Sequence, residues 1–262
     1  MINMQLKHLF SATALSATFF LAPSISEAQV QGGTHQKLFD LYVMGDYEKC
    51  VMKAEALTEK DNYKRESEPY LYMAMCLIEI ADDPDLRDLE PFEKATKDAL
   101  KSGAKFVKKD MKLKEKGEPY LYDDNYDFIQ KLKFIGIQEA KAELAQNDYR
   151  KAVYYYKLAL QLDENDPSVR MIKGTCDILS RNTKEGNLEV EKALEEYNAL
   201  AKSSGFEPTQ YNEMAFEDGF IYYTNYLIEK NQIGKAQEVM ELARTLAPKN
   251  EKFIRKLKEI TG

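Results

Sequence analysis

Histidine and cysteine most readily carry acid–base, nucleophilic or zinc chemistry, and this sequence contains few of them. It has two histidines, His8 and His35, and three widely spaced cysteines, Cys50, Cys76 and Cys176. No C-x-x-C pair occurs, which argues against the usual zinc sites built from cysteine and histidine. One cysteine pair could form a disulfide in an oxidising compartment, or all three could be small core residues.

Motifs that bind phosphates or activate a serine are also missing. The sequence contains no G-x-G-x-x-G, no G-x-x-x-x-G-K-[ST] and no G-x-S-x-G. Asp123, Asp124 and Asp127 lack the glycine and final glutamate of a calcium-binding loop, so we interpret them as helix-capping residues. We therefore expect no catalysis, no cofactor and no metal site. An enzyme that uses carboxylates alone is the catalytic alternative left open.

The first 28 residues have the three-part order of a secretory signal peptide. Lys7 and His8 precede an apolar segment from Leu9 to Ala22, and the small-residue sequence Ser26-Glu27-Ala28 follows. We expect cleavage near Ala28 and a periplasmic protein, with residues 29–262 forming one folded domain. An uncleaved anchor is the alternative, although the apolar segment is shorter than the ~20 residues that span a bilayer.

Composition and charge favour a helical protein. Charged residues make up 31% of the chain, and the formal net charge is −7. Nucleic-acid binding requires a net basic surface, which this acidic chain of mixed charge lacks. Glycine and proline, at 12 and 8 residues, are too sparse for the many turns of a β-sandwich or barrel. Any membrane contact is expected to be peripheral.

One residue pattern recurs along the chain with the spacing of a helix face. Tyr149 is followed by Ala152, Tyr156 and Ala159 at offsets of 3, 7 and 10. The large–small order predicts closely packed helix pairs, because a small residue lets the neighbouring helix approach. The same offsets begin at four other anchors, which are Tyr47, Phe92, Val190 and Ile233. This recurrence indicates internal repetition of a two-helix unit.

An apolar helical segment precedes each copy of the pattern and supplies the first helix of each pair. These segments are Leu38 to Met44, Tyr70 to Ala81, Tyr126 to Gln146, Val169 to Ser180, and Phe216 to Lys230. A final amphipathic stretch, Lys252 to Ile260, is typical of a helix that caps the open end of a solenoid. The sequence therefore predicts an all-α solenoid of about five helical hairpins plus a C-terminal capping helix.

These hairpins resemble tetratricopeptide repeats (TPRs), a family of helical repeats that stack into binding scaffolds. Phe220, Tyr223, Ala236 and Pro248 match the family's large, large, small and proline positions, and Gly174 matches its first-helix glycine. The five anchors are separated by 45, 57, 41 and 43 residues, whereas the family's repeat has about 34. The longest interval predicts an insertion at about residues 103–127.

The resemblance implies protein–protein interaction rather than catalysis. We expect an exported scaffold that binds a protein or peptide partner in the cell envelope. The alternative is a permanent structural subunit of an envelope machine, such as a secretion or motility apparatus. In the family, the first helices of the hairpins form a concave binding face. The residues of this chain at those positions are Phe134, Ile137, Lys141, Met171, Thr175, Ile221, Asn225, Lys252 and Lys256.

An apolar helix or an extended peptide is the ligand expected at this concave face. Only Asn225, Lys252 and Lys256 match the family's clamp for a C-terminal carboxylate, and Ile221 stands where a lysine is expected. If the face binds a partner, its apolar residues should be partly exposed in the free protein.

The predicted insertion has two further features. Six lysines lie from Lys105 to Lys116. They form either a basic patch for acidic partners, envelope polymers or anionic lipid headgroups, or the solvated face of a helix end. The sequence Glu118-Pro119-Tyr120-Leu121-Tyr122 also duplicates Glu68-Pro69-Tyr70-Leu71-Tyr72. In both copies we expect the proline to start a helical turn and the leucine to be buried.

Overall fold

The computed structural model describes residues 33–60, 65–203 and 206–262, which form eleven α-helices. The predicted signal peptide lies outside the described residues. The helices are α1 (Gln36–Val43), α2 (Tyr47–Thr58), α3 (Glu68–Asp82), α4 (Ala95–Glu115), α5 (Tyr126–Ala145), α6 (Tyr149–Leu162), α7 (Pro167–Leu179), α8 (Thr183–Lys202), α9 (Glu213–Glu229), α10 (Ile233–Leu246) and α11 (Glu251–Thr261). Helices pack in neighbouring pairs, so the predicted all-α solenoid of five hairpins plus a terminal helix is confirmed. Within these ranges, no helix is both long and apolar enough to cross a bilayer.

Four of the five hairpins share one type of turn. In each, a residue with φ between 56° and 76° stands two positions before the second helix, and these residues are Gly45, Asn147, Arg181 and Asn231. The next residue donates its backbone N–H to a carbonyl five positions earlier, as Asp148 does to Glu143 at 3.0 Å. This left-handed cap satisfies the last carbonyls of the first helix and reverses the chain.

The repeat anchor predicted at Val190 is wrong by two helical turns. α8 begins at Thr183, directly after the shared turn, and Thr183, Gly186, Val190 and Ala193 follow the offsets of 3, 7 and 10. The interval from Tyr149 to the corrected anchor is therefore 34 residues (183 − 149) rather than 41. The sequence pattern did not reveal this anchor because Thr183 is neither large nor apolar.

The two helices of the fourth hairpin touch through their backbones. A Cβ built on Gly186 would lie 2.5 Å from the carbonyl oxygen of Gly174, and one built on Gly174 would lie 2.9 Å from that of Gly186. Real Cβ atoms do not approach a backbone oxygen this closely, so the crossing of α7 and α8 requires glycine at both positions.

The core consists of three clusters of buried apolar side chains that follow one another along the array. The first joins α1 to α4 with parts of α5 and α6, the second joins α7 to α11, and the third joins α5, α6 and α7 with Ala215 of α9. α7 belongs to two clusters, with Met171 in the second and Ile172 in the third. Residues 168–178 of α7 are all buried, so this helix is covered on every side.

The region predicted as an insertion begins as helix. α4 continues to Glu115 because Phe106 and Asp110 remain buried at helical spacing, and only the stretch between α4 and α5 is irregular. The duplicated sequence accordingly has two structures. Pro69 lies in the first turn of α3 as predicted, whereas the prediction for Pro119 is wrong, because this residue lies in the irregular connection.

Asp110 joins the two copies of the duplicated sequence. Its buried carboxylate accepts a hydrogen bond from the Ser67 hydroxyl (2.6 Å), directly before the first copy. It also accepts from the backbone N–H groups of Leu121 (2.7 Å) and Tyr122 (2.6 Å) in the second copy. Leu71 and Leu121 are both buried, as predicted. One side chain of α4 therefore holds the irregular connection against the start of α3.

Candidate partner-binding surface

The middle of the predicted concave face is closed. Ile137, Met171 and Thr175 are each 0% exposed, so the predicted exposure of the apolar residues is wrong at Ile137 and Met171. Ile137 packs in the cluster of α5, α6 and α7, and Met171 packs with residues of α8 and α9. The Thr175 hydroxyl donates a hydrogen bond to the Met171 carbonyl at 2.9 Å. These three side chains therefore belong to the core.

An ion pair between α5 and α9 closes the face over α7. Lys141 Nζ lies 2.9 Å from Asp218 Oδ2, so the two helices on either side of α7 meet above it. Gly219 permits the close approach of α9 to α7, because a Cβ built there would already lie 3.3 Å from Met171 Cγ and 3.4 Å from Ile172 N. The open groove implied by the TPR resemblance is absent at this point because α9 lies against α7 and the Lys141–Asp218 pair bridges α5 and α9.

The lysines predicted at the C-terminal end of the face already have acidic partners. Lys252 Nζ lies 2.5 Å from Glu217 Oε2, and this hydrogen bond raises the pKa of Lys252. Lys256 Nζ lies 3.1 Å from Glu259 Oε2 within α11. A ligand carboxylate would therefore have to displace an existing carboxylate at each lysine.

α9 carries the part of the face that remains open. Six half-buried residues lie within about 120° of its surface, and one of them, Asp218, pairs with Lys141. We define the other five as the α9 face, and they are Met214, Ile221, Tyr222, Asn225 and Ile228. Nearby on α5, Phe134 is also half-buried, and its ring meets the ring of Tyr211 edge-on with centroids 6.4 Å apart. Within the described ranges, Phe134, Ile221 and Asn225 are thus the predicted site residues that are partly exposed and form no ion pair that a ligand would have to displace.

Sequence reasoning missed a charged network on the α5 side of α7. Lys133 is 1% exposed, and its ammonium lies 2.7 Å from the Asp166 carboxylate and 2.9 Å from that of Asp163. Burial lowers the pKa of Lys133, but the two carboxylates outweigh burial and hold this pKa above its ordinary value. Asp166 also caps α7 by accepting from the backbone N–H groups of Ser168 and Val169.

A second set of charges lies between α7 and α8. Lys173 Nζ lies 3.0 Å from Asp177 Oδ2 and 3.2 Å from Glu189 Oε1. Arg170 Nη1 lies 3.4 Å from Glu189 Oε2, and the guanidinium also donates to the Glu164 carbonyl. These residues line a cavity of about 560 Å³. Because Arg170 and Lys173 both have acidic partners, the cavity offers an anionic ligand no uncompensated charge from either residue.

A larger cavity, of about 750 Å³, lies between the two copies of the duplicated sequence. Its lining is acidic and includes Glu66, Glu118 and Asp124. Across the described ranges, however, no group of three or more histidine, cysteine or acidic side chains is arranged to hold a metal ion. Asp123 at the edge of the cavity pairs with Lys114 at 2.8 Å. Among the described residues, neither cavity therefore contains a metal-binding group of this kind.

The three cysteines are buried free thiols, which agrees with the interpretation that they are core residues. Burial raises the pKa of the Cys176 thiol, so it remains neutral at physiological pH.

Comparison with known proteins assigns no family to this chain. No protein-family model matches the sequence, and no curated protein is significantly similar to it. Function must therefore be inferred from the shape and chemistry of the surfaces described above.

Proposed function

We propose that this chain is an exported TPR-like scaffold that binds a protein or peptide partner in the cell envelope and has no catalytic activity of its own. The observation that supports this most strongly is the α9 face, a half-exposed mixture of apolar and polar side chains on the first helix of a repeat. Ile221 and Met214 offer apolar area, and Asn225 offers both a donor and an acceptor.

The repeat geometry supports the resemblance to TPRs. The 34 residues between the Tyr149 and Thr183 anchors equal the period of that family. The interval to the next anchor, Ile233, is longer because α8 has 20 residues where α6 has 14, and because the connection from α8 to α9 is long. The hairpin unit is thus preserved while its helices and connections vary in length.

An apolar helix or an extended segment is the ligand that suits the α9 face. α9 has 17 residues, which corresponds to about 25 Å of helix and can align with several turns of a partner helix. Burial and the nearby Asp218 carboxylate raise the pKa of Tyr222, so its hydroxyl stays protonated and can donate to a partner carbonyl at neutral pH. Neutral polar groups of this kind suit a peptide backbone better than a charged ligand.

Site-specific photo-crosslinking in envelope preparations tests this proposal. A photoreactive amino acid is introduced at Ile221 and, as a matched control, at Leu188 of α8, which is 56% exposed. We expect a discrete crosslinked product from position 221 and none from position 188. Adding Asn225→Arg to the first variant should abolish the product while leaving the melting temperature nearly unchanged. Identical products from both positions, or a product that is insensitive to Asn225→Arg, would contradict the proposal.

The alternative, a permanent subunit of an envelope machine, is favoured by one observation at the N-terminal end of the array. Val43, Met44 and Met52 of the first hairpin are 62%, 75% and 68% exposed. Apolar side chains at the end of a solenoid need a polar cap or a neighbouring subunit. Light scattering of the purified chain distinguishes the two functions. A stable monomer supports the scaffold, and aggregation without a partner supports the subunit.

A further inference from the structure

α4 concentrates lysines on one side of the helix. Eight lysines from its N-cap to its C-cap fall within about 120° of the helix surface, at 100° per residue. We define these as the lysine strip, which consists of Lys94, Lys97, Lys101, Lys105, Lys108, Lys109, Lys112 and Lys116. Two carboxylates, Asp98 and Glu115, share this part of the surface. The strip therefore carries a surplus of six positive charges (8 − 2) in a chain whose net charge is −7.

The strip is exposed to solvent and fixed to the core. Five of its lysines are exposed and the other three are half-buried. The opposite side of α4 is anchored by Ala99, Leu100 and Phe106, which are each 0% exposed. α4 has 21 residues, so the strip runs for about 31 Å along a rigid helix. Lys114 is excluded because it turns toward the irregular connection and pairs with Asp123.

Among the described residues, carboxylates compensate only part of the positive charge of the strip. Lys101 pairs with Asp98 at 2.7 Å, but Lys105, Lys108 and Lys112 form no ion pair with any carboxylate in the described ranges. Burial and the neighbouring Lys112 and Lys105 lower the pKa of Lys109, as expected where like charges crowd together. A surface of this kind attracts anions from solution.

Two tyrosines lie along the edges of the strip. The ring of Tyr70 lies under Lys105 and Lys109, with Nζ–centroid distances of 5.5 and 5.3 Å. The ring of Tyr154 lies under Lys97 at 4.8 Å. These contacts orient the ammonium groups, and tyrosine is a residue enriched at the headgroup level of membranes.

We propose that the lysine strip binds the anionic surface of a membrane. The strip is a straight row of long side chains, and none of its lysines lines either cavity described above. It contains no arginine, whose planar fork would suit the fixed geometry of a carboxylate on an acidic peptide. A plane of lipid phosphates requires many positive charges at one level but no pocket, and this is what the strip provides.

The strip and the α9 face are separate surfaces. The strip belongs to the second helix of the second hairpin, and the α9 face belongs to the first helix of the fifth. Membrane binding by the strip is thus a separate proposal from partner binding by the α9 face, and either proposal can be disproved without affecting the other.

Vesicle co-sedimentation with the full chain tests membrane binding. We expect the protein to sediment with phosphatidylcholine vesicles that contain phosphatidylglycerol, and to remain in solution with phosphatidylcholine alone. Binding should decrease steeply with added salt, because screening shortens from about 30 Å at 0.01 M to about 3 Å at 1 M. Absence of binding to the anionic vesicles at low salt would overturn the proposal.

Matched charge-reversal variants separate the strip from net charge. The test variant is Lys105→Glu/Lys108→Glu/Lys112→Glu, and the control is Lys184→Glu/Lys192→Glu/Lys235→Glu, in which three exposed lysines of α8 and α10 change by the same charge. A lysine near an anionic surface contributes about fivefold in affinity, so the test variant should lose at least about a hundredfold. The control variant should show less than about a tenth of that loss in affinity for anionic vesicles.

Three results would overturn the assignment. Equal losses in the two variants would show that net charge, not the strip, drives binding. Tighter binding to polyglutamate than to anionic vesicles would identify an acidic protein as the partner instead. Binding to neutral vesicles that equals binding to anionic ones would place the contact elsewhere in the chain. Thermal melts of both variants establish that any loss occurs in folded protein.

Discussion

The first helices of the fourth and fifth hairpins, α7 and α9, occupy the same position in the repeat but have opposite environments. α7 is buried throughout residues 168–178, whereas α9 keeps a half-exposed face. α7 lies beneath α5 and α9, which meet above it through Lys141 and Asp218. The helix that contacts α9 on its other side, α11, has only 11 residues.

The difference shows that a repeat position becomes core or stays partly exposed according to how closely the adjacent hairpins approach. Gly219 lets α9 lie against Met171 and Ile172, which removes any groove over α7. The charged residues at the start of α7 and within it then require partners, which α5 and α8 supply. On its far side α9 contacts α11, where Phe253 packs on Phe216 and Phe220, but the α9 face stays half-exposed.

The largest expected effect comes from removing the buried cation beside α7. Lys133→Met should reduce the free energy of unfolding by about 3–5 kcal/mol, because it leaves the buried Asp166 carboxylate without its ammonium partner. Lys141→Met is the control, since Lys141 is 43% exposed in its pair with Asp218, and it should cost at most about 1 kcal/mol. Urea unfolding measures both values. Equal losses of unfolding free energy in the two variants would mean that the ion pairs of Lys133 beside α7 are no better shielded from solvent than the Lys141–Asp218 pair.

The next effect tests the backbone contact inside the fourth hairpin. Gly186→Ala should destabilise the protein by about 1–3 kcal/mol or more, because its Cβ would meet Gly174 O at 2.5 Å and Ile178 N at 2.7 Å. Gly234→Ala in the fifth hairpin is the matched control, since a Cβ there has no atom within 4 Å. The control should be neutral or stabilise by up to about 1 kcal/mol, because alanine favours the helix. A Gly186→Ala protein as stable as wild type would disprove the crossing of α7 and α8.

The smallest effect is a pH dependence linked to Lys133, whose pKa is raised in the folded state. Its stabilising contribution is fully present below the unfolded pKa of about 10.4 and is lost as pH rises through the higher folded pKa. The difference in unfolding free energy between wild type and Lys133→Met should therefore be constant from about pH 7 to 9 and shrink above about 10.4. Tyrosines that ionise in the same pH range are present in both proteins, so their contributions to the unfolding free energy cancel in the difference. A difference that already shrinks below about pH 9 would contradict the ion pair.

The hairpins could be predicted from the sequence because their signals are local. Large and small residues repeat at helical offsets, and Asn147-Asp148 and Asp166-Pro167 mark where helices end and begin. The fourth anchor was misplaced because the correct anchor residue, Thr183, is neither large nor apolar. Gly186 stands at the small position of this repeat, and its importance comes from its contact with α7. A pattern of large and small residues within one helix contains no information about that contact.

The closure of the concave face could not be predicted, because it depends on residues far apart in the sequence. Lys141 and Asp218 are 77 positions apart (218 − 141), and nothing in either helix indicates that they meet. Lys133 did carry a signal, since it lies four residues after Ile129 and four before Ile137, both core residues. A lysine at such a position indicates a buried ion pair, although the sequence does not identify its partners.

Thiol labelling tests the central claim, that the inner face is closed over α7 and open on α9. Single variants Thr175→Cys and Asn225→Cys place a thiol at equivalent repeat positions, and the native Cys50, Cys76 and Cys176 provide a buried, slowly reacting background. Labelling a buried thiol requires local opening, so alkylation followed by mass spectrometry should show Asn225→Cys reacting at least about a hundredfold faster than Thr175→Cys. Equal rates at the two positions would contradict the account.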